Sequence, residues 1–292
     1  MLNREEKEKL LDYLIQFLRP EKKYPLLPGV NDPEAIADFI GIDYDEYKSV
    51  IENFDNQTQM AAQELLKEDG VQEMIENLPF NNNDTIVLIG DSVSDDRLGW
   101  FQIIAHALDL QVEKADFTWI DASLGSETST NAMLRLSRDV LSKEPDWVFI
   151  ALGNDDAQRP EINENRTVIP LSEFWENIST IEEALNQKLE NDLVWITPTP
   201  PITEMMAQVP LFHGVLHEHD LQEFREVIAG KTGYIVDPTG ARMGNPPEAP
   251  NYMSDGFHHS IAGHINTARE VIKLLSSDSK VHDGSKIKKD QQ

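Results

Sequence analysis

The sequence predicts an α/β protein: a three-layer α/β/α arrangement on a five-stranded parallel sheet, preceded by a small all-α domain. Three observations predict it. From Thr85 onward, short runs of β-branched residues and leucine alternate with amphipathic helical stretches, as in a parallel sheet covered on both faces. Before Thr85, apolar residues recur only at helical spacing. Each strand-like run also gives way at its carboxyl end to small and polar residues, which suits the open rim where such sheets bind ligands. The expected divisions are a helical domain over 1–83, an α/β domain over 84–276 and a polar, disordered tail over 277–292.

The helical part is read first. Leu10, Leu11, Leu14, Ile15 and Leu18 form a stripe that Pro20 ends, and Pro25, Pro28 and Gly29 mark a loop. Asp32-Pro33 has the form of an N-cap followed by proline at the first helical position. Ile36 and Ile40 give that helix its apolar face. Further helices carry Tyr47, Val50, Ile51 and Phe54, then Leu65, Met74, Ile75 and Leu78. Pro79 and the run Asn81-Asn82-Asn83 read as a linker.

The strand candidates are Thr85–Ile89, Phe117–Ile120, Trp147–Leu152, Leu193–Thr197 and Tyr234–Asp237. Helical patterns lie at Asn131–Leu141, Glu173–Lys188, Leu221–Ala229 and Ile261–Leu275, with another beginning near Asp95 or Asp96. Right-handed crossovers place all five carboxyl ends on one rim.

Composition removes several classes of function. The net charge is −27, with 25 Lys and Arg against 52 Asp and Glu, the opposite of what phosphate binding needs. Nucleic acid is therefore excluded as a partner, and anionic membrane surfaces are disfavoured. The stretch PEAIADFIGIDYDEYKSVIENF has a helix-turn-helix rhythm, but its second helix carries Asp45, Glu46 and Glu52 against Lys48. There is no cysteine, so thiol catalysis, disulfides and thiolate metal sites are excluded. The start, MLNREEKEKLLDYL, lacks a signal-peptide apolar region, and no apolar run approaches the ~18 residues that span a bilayer. A cytoplasmic protein without stable membrane insertion is expected.

The chemistry sits on the rim. Ser92 follows the first strand in Gly90-Asp91-Ser92, where a sharp strand-to-helix turn exposes one side chain. A serine hydroxyl needs a base to remove its proton, and the base works best when a carboxylate orients it. Asp255 and His258 lie three residues apart before the last helix, a spacing that lets the carboxylate reach Nδ1 while Nε2 points toward Ser92. Acyl transfer also needs donors for an oxyanion. Candidates are the Ser92 N–H, the Gly125–Ser126 turn and the Asn154 side chain.

Four blocks in order now resemble one family, the SGNH (GDSL) hydrolases: GDSVSDD at Gly90–Asp96, DASLGSET at Asp121–Thr128, LGND at Leu152–Asp155 and DGFHHSIAGH at Asp255–His264. The resemblance covers Thr85 to about Leu275. It implies a flavodoxin-like fold and a metal-free, cofactor-free serine esterase or lipase. Ser92 would be the nucleophile, His258 the base, Asp255 its orienting residue, and Ser92, Gly125 or Ser126, and Asn154 the oxyanion hole. Where many members have Ser-Gly-Asp-Thr, this chain has Gly125-Ser126-Glu127-Thr128, so either Gly125 or Ser126 supplies the backbone donor. Family substrates are small acyl esters, lysophospholipids, thioesters and acetylated sugars.

Other residues receive plainer readings. His259 and His264 are expected to pack or hydrogen-bond in the last helix, Trp100 and Phe101 to lie in the core, and Asp95 and Asp96 to favour a helix amino end. His213, His217 and His219 fit a loop near the substrate entrance better than a metal site. Asp91, Asp95 and Asp96 as a metal-dependent phosphotransfer site is the rival chemistry. A second rival is a catalytically weak interaction module whose helical residues 1–83 cover the site, recruit a partner or form a homodimer.

Overall fold

The computed structural model describes residues 11–282, except 12, 113–115, 207–213, 240–242 and 245, with the side chains of 278–282 also outside it. His213 therefore lies outside the described residues. The first ordered pieces are helical residues 13–17 and a single turn, Pro20–Lys23, with Pro20 in its first turn. Helix α1 (Pro33–Ile40) starts as expected: Asp32 accepts the Glu34 N–H at 3.0 Å, Pro33 stands at the first position, and Gly41 closes the helix at φ +83°. Helices α2 (Tyr44–Leu66) and α3 (Val71–Glu76) follow.

The sheet contains β1 (Thr85–Gly90), β2 (Thr118–Asp121), β3 (Trp147–Ala151), β4 (Val194–Ile196) and β5 (Tyr234–Val236). All neighbours are parallel in the order β2-β1-β3-β4-β5, the doubly wound order with its switch point beside β1. Helices α4 (Trp100–Gln111), α5 (Ser129–Asp139), α6 (Leu171–Asn186), α7 (Glu218–Ala229) and α8 (Ile261–His282) complete the layers.

Alternation along β1 divides the core in two. Ile86 and Leu88 face one side, packed with Phe149, Val194 and residues of α2, α3, α4 and α8. Val87 and Ile89 face the other, with Val148, Trp195 and residues of α5, α6 and α7. Trp100 and Phe101 are fully buried in the first cluster, as expected. Ala61, Ala62 and Leu65 of α2 and Val71 and Ile75 of α3 belong to that same cluster, so these amino-terminal helices cover the sheet directly. A third cluster gathers Ile15, Ile36, Ala37, Tyr47 and Phe54, with Leu98 packed against it.

Two expected boundaries move furthest. The helix anticipated at Asp95 or Asp96 begins at Trp100, because both carboxylates serve partners elsewhere in the fold. Asp96 also accepts the Leu98 N–H at 2.7 Å and closes a turn there. At the other end, α8 runs on from the expected stop at Leu275 to His282, with Ser276 buried. Residues 283–292 lie outside the described residues. Among the described residues, no helix is long and apolar enough to cross a membrane.

Candidate active site

Gly90 ends β1 because nothing larger fits: a Cβ there would sit 2.8 Å from Ser94 Cβ and 2.9 Å from Ser123 Oγ. The chain then turns through Asp91. Its N–H donates to Ala151 O at 3.0 Å, and its Oδ2 accepts the Asn154 N–H at 2.9 Å. Oδ1 accepts the Val93 N–H at 3.2 Å. Asp91 thereby ties the carboxyl ends of β1 and β3 together and presents Ser92 at the rim. Ser92 is 8% exposed, and among the described residues its Oγ has no hydrogen-bond partner.

The last block is held by its own aspartate. Asp255 Oδ1 accepts the N–H groups of Phe257 and His258, both at 2.9 Å, and Gly256 makes the turn at φ +66°. Asp255 Oδ2 lies 2.7 Å from His258 Nδ1. A carboxylate only accepts, so Nδ1 carries the proton and Nε2 is the basic nitrogen. Burial pushes the Asp255 carboxyl up, but the hydrogen bond and charge of His258 and the two N–H groups outweigh it and hold the pKa below its ordinary value. Ser260 accepts the Gly263 N–H at 3.3 Å and caps α8.

Two of the expected oxyanion donors, both backbone N–H groups, have carboxyl partners of their own. The Ser92 N–H donates to Asp155 Oδ2 at 3.2 Å, and the Gly125 N–H to Asp95 Oδ2 at 2.8 Å. Ser126 adopts φ +58°, so the turn is built without a glycine at that position. Ser92, Gly125, Ser126, Asp155 and His258 line one cavity of about 970 Å³. Asn154 borders a separate small cleft of about 20 Å³ with Asp91, Thr199 and His259, and its buried Oδ1 has no hydrogen-bond partner among the described residues.

Three aspartates crowd behind Ser92. Burial raises the carboxyls of Asp91, Asp155 and Asp156, and the charge of Asp155 adds to the rise at its two neighbours. Asp156 accepts from Ser129 N and Oγ, and its pKa is pushed up from 3.8 to about 7. Because the folded value lies above the unfolded one, folding takes up a proton between them. The stabilisation is complete below pH 4 and is lost as pH rises through 7. At about 1.4 kcal/mol per pH unit over that interval, it is on the order of 4 kcal/mol. Asp156→Asn should therefore flatten the decline in urea-unfolding stability between pH 5 and pH 8. Equal pH slopes for the variant and the wild type would refute this.

Residues 13–24 lie across the site. Phe17 stacks near His258 with ring centres 4.5 Å apart, and Tyr13 donates its hydroxyl to Asp255 Oδ2 at 3.3 Å. Gln16 Nε2 donates to both Asp96 carboxylate oxygens at 2.8 and 2.9 Å. Lys22 Nζ reaches Asp95 Oδ1 at 2.7 Å and Asp121 Oδ2 at 2.6 Å. Within this turn Ile15 is fully buried while Leu14 is 44% exposed. Of the expected stripe, Ile15 and Leu11 face the third core cluster and Leu14 turns outward, while Tyr13, Gln16 and Phe17 face the site.

The remaining candidates separate cleanly. His259 Nε2 pairs with Thr199 Oγ1 at 2.8 Å and His264 Nε2 with Asp96 Oδ2 at 3.0 Å, the hydrogen-bonding roles expected of them. His217 stands at the amino end of α7, and His219 pairs with Asp220 at 3.2 Å. Asp91, Asp95 and Asp96 point to different protein donors, and no group of carboxylates and histidines suited to a metal ion occurs among the described residues.

A doubly wound sheet with a serine at the end of its first strand and an Asp-x-x-His turn before its last helix defines a class, the GDSL/SGNH-type hydrolases. The model of the GDSL-like lipase/acylhydrolase family matches residues 86–271, and the chain belongs to that family of carboxylic ester hydrolases. Solved structures share the fold. A lipase/acylhydrolase from Enterococcus faecalis is 22% identical, with TM-score 0.51 over 66% of this chain and 96% of its own. An α/β hydrolase enzyme from the metagenome of Lake Arreo, Spain, is 16% identical, with TM-score 0.54 over 67% and 96%. An acetyl xylan esterase from Geobacillus stearothermophilus gives the same figures, 16% identity and TM-score 0.54 over 67% and 96%. None of the curated proteins searched matches the chain.

Proposed function

We propose that this protein hydrolyses a carboxylic ester through an acyl-enzyme on Ser92, with His258 as general base and acid. The observation that carries this reading is the Asp255–His258 pair, 2.7 Å apart, whose His258 lines the same cavity as Ser92. Ser92 Oγ attacks the ester carbonyl carbon while His258 Nε2 takes the hydroxyl proton, and the carbonyl electron pair moves onto oxygen. Collapse breaks the bond to the alcohol, which leaves with the proton held by His258. Water then gives a proton to His258 and attacks the acyl group, and Ser92 recovers its proton as the acid departs. Asp255 positions the imidazole and stabilises its charged form.

The Ser92 and Gly125 N–H groups already donate to carboxyl oxygens, those of Asp155 and Asp95. In the reacting complex the substrate oxyanion takes such a place, with the Gly125–Ser126 turn and the Asn154 amide completing the hole. A fluorophosphonate probe should add its phosphonyl mass to the peptide that contains Ser92. The His258→Ala protein should label far more slowly. Labelling elsewhere, or equal labelling of Ser92→Ala, would reject the reading.

A further inference from the structure

The cavity beside Ser92 is much larger than the chemistry requires, and half of its wall comes from outside the family match. On one side stand Ser92, Gly125, Ser126 and His258. On the other stand Tyr24, Leu27, Val30, Ile36 and Phe39, all before residue 86, with Val168 at the rim. At about 970 Å³ the space is at the upper end of sites that enclose a drug-sized molecule, and an acetyl group would leave most of it empty.

Four of the twelve large apolar residues left exposed among the described residues meet on this one cavity. Tyr24 is 56% exposed, Leu27 59%, Phe39 78% and Val168 36%, and all four line this cavity. Large apolar side chains left uncovered on one concave surface mark a binding site. The wall is also firmly built. Lys22 is clamped between Asp95 and Asp121, Gln16 between the oxygens of Asp96, and Arg97 Nε donates to Ile15 O at 2.9 Å. Ile36 and Ala37 anchor α1 in the third core cluster beside Leu98.

We infer that residues 24–39 form a hydrocarbon-binding wall of the Ser92 site, so that this enzyme selects esters carrying a medium-length alkyl chain over simple acetates. The inference rests on the ester-hydrolase reading and adds the substrate class. The alkyl chain belongs to the acid or to the alcohol half of the ester, since both halves meet at the same carbonyl carbon. Each methylene laid against the wall contributes at most about fourfold in affinity, and octanoyl exceeds butyryl by four methylenes.

The test compares wild type with the double variant Leu27→Ser/Phe39→Ser, whose altered side chains are largely exposed and carry little of the fold. The substrates are p-nitrophenyl acetate, butyrate and octanoate, with octyl acetate against ethyl acetate as the alcohol arm. In wild type, kcat/KM should rise at least tenfold with chain length in one of the two arms, and that ratio should fall about tenfold in the double variant. A rise in the p-nitrophenyl series places the chain in the acid, and a rise in the octyl acetate arm places it in the alcohol. Flat ratios in both arms, or ratios that the variant leaves unchanged, would overturn the inference.

Binding separates this failure from failure of the catalytic reading. In Ser92→Ala, methyl octanoate should bind at least tenfold more tightly than methyl butyrate by calorimetry, and adding the wall substitutions should remove the difference. Full turnover in Ser92→Ala would instead sink the catalytic reading and leave the binding result to judge the wall. Equal binding of the two methyl esters, together with flat ratios in the octyl acetate arm, would sink the wall alone.

Discussion

Replacing Ser92 with alanine should lower kcat for p-nitrophenyl butyrate by about 10³- to 10⁶-fold while leaving the folded state in place. Ser92 is buried, and alanine keeps the backbone N–H that donates to Asp155 at 3.2 Å, so the turn stays in place. The size follows from the unit behaviour of nucleophile and base: losing either one removes the covalent route as a whole. His258→Ala should therefore cost nearly as much, and the double variant little more than either single one. His258 does contribute to structure through its pairing with Asp255 and its packing against Phe17. A stability measurement must accompany that variant. Full additivity of the two losses, or full activity in Ser92→Ala with unchanged circular dichroism, would end the proposed mechanism.

Lys22→Met should destabilise the protein by about 3–5 kcal/mol, the range for removing one partner of a buried ion pair. The Lys22 side chain is 11% exposed, and its two carboxylate partners, Asp95 and Asp121, are 2% and 7% exposed. Burial pushes the Asp121 carboxyl up, yet Lys22 and Arg19 hold it below its ordinary value, so Asp121 depends on this ammonium group. Arg19 lies 3.9 and 3.8 Å from the same two carboxylates and keeps part of the compensation, which sets the loss at the lower end. Urea midpoints at constant slope measure it. Adding Asp95→Asn to Lys22→Met should recover part of the loss. A change under 1 kcal/mol in the single variant would refute the account.

The sheet was legible because its signals are local. Each strand is a short apolar run, and residues 86–89 send alternate side chains into two different cores. The rim loops were legible for the same reason, since Asp255-Gly256-Phe257-His258 makes its turn within four residues. What stayed hidden depends on partners far apart in sequence. Asp95 and Asp96 resemble the acidic first turn of a helix until Lys22, Gln16 and His264 are seen to claim them. Tyr13 and Phe17 belong to the site only through contacts with Asp255 and His258, more than two hundred residues later. Asp156 carries no local sign of its burial, which is set by Ser129 and the crowding of Asp155.

Those same long-range contacts impose an order in time. Tyr13 meets Asp255, Gln16 meets Met253 as well as Asp96, and Glu68 meets Arg269, so the first and last portions of the chain close over the centre together. A ribosome makes Tyr13 and Ser92 long before it makes His258. A polypeptide emerging in sequence order therefore holds Ser92 and the apolar residues among 24–39 before Asp255 and His258 exist to close beside them.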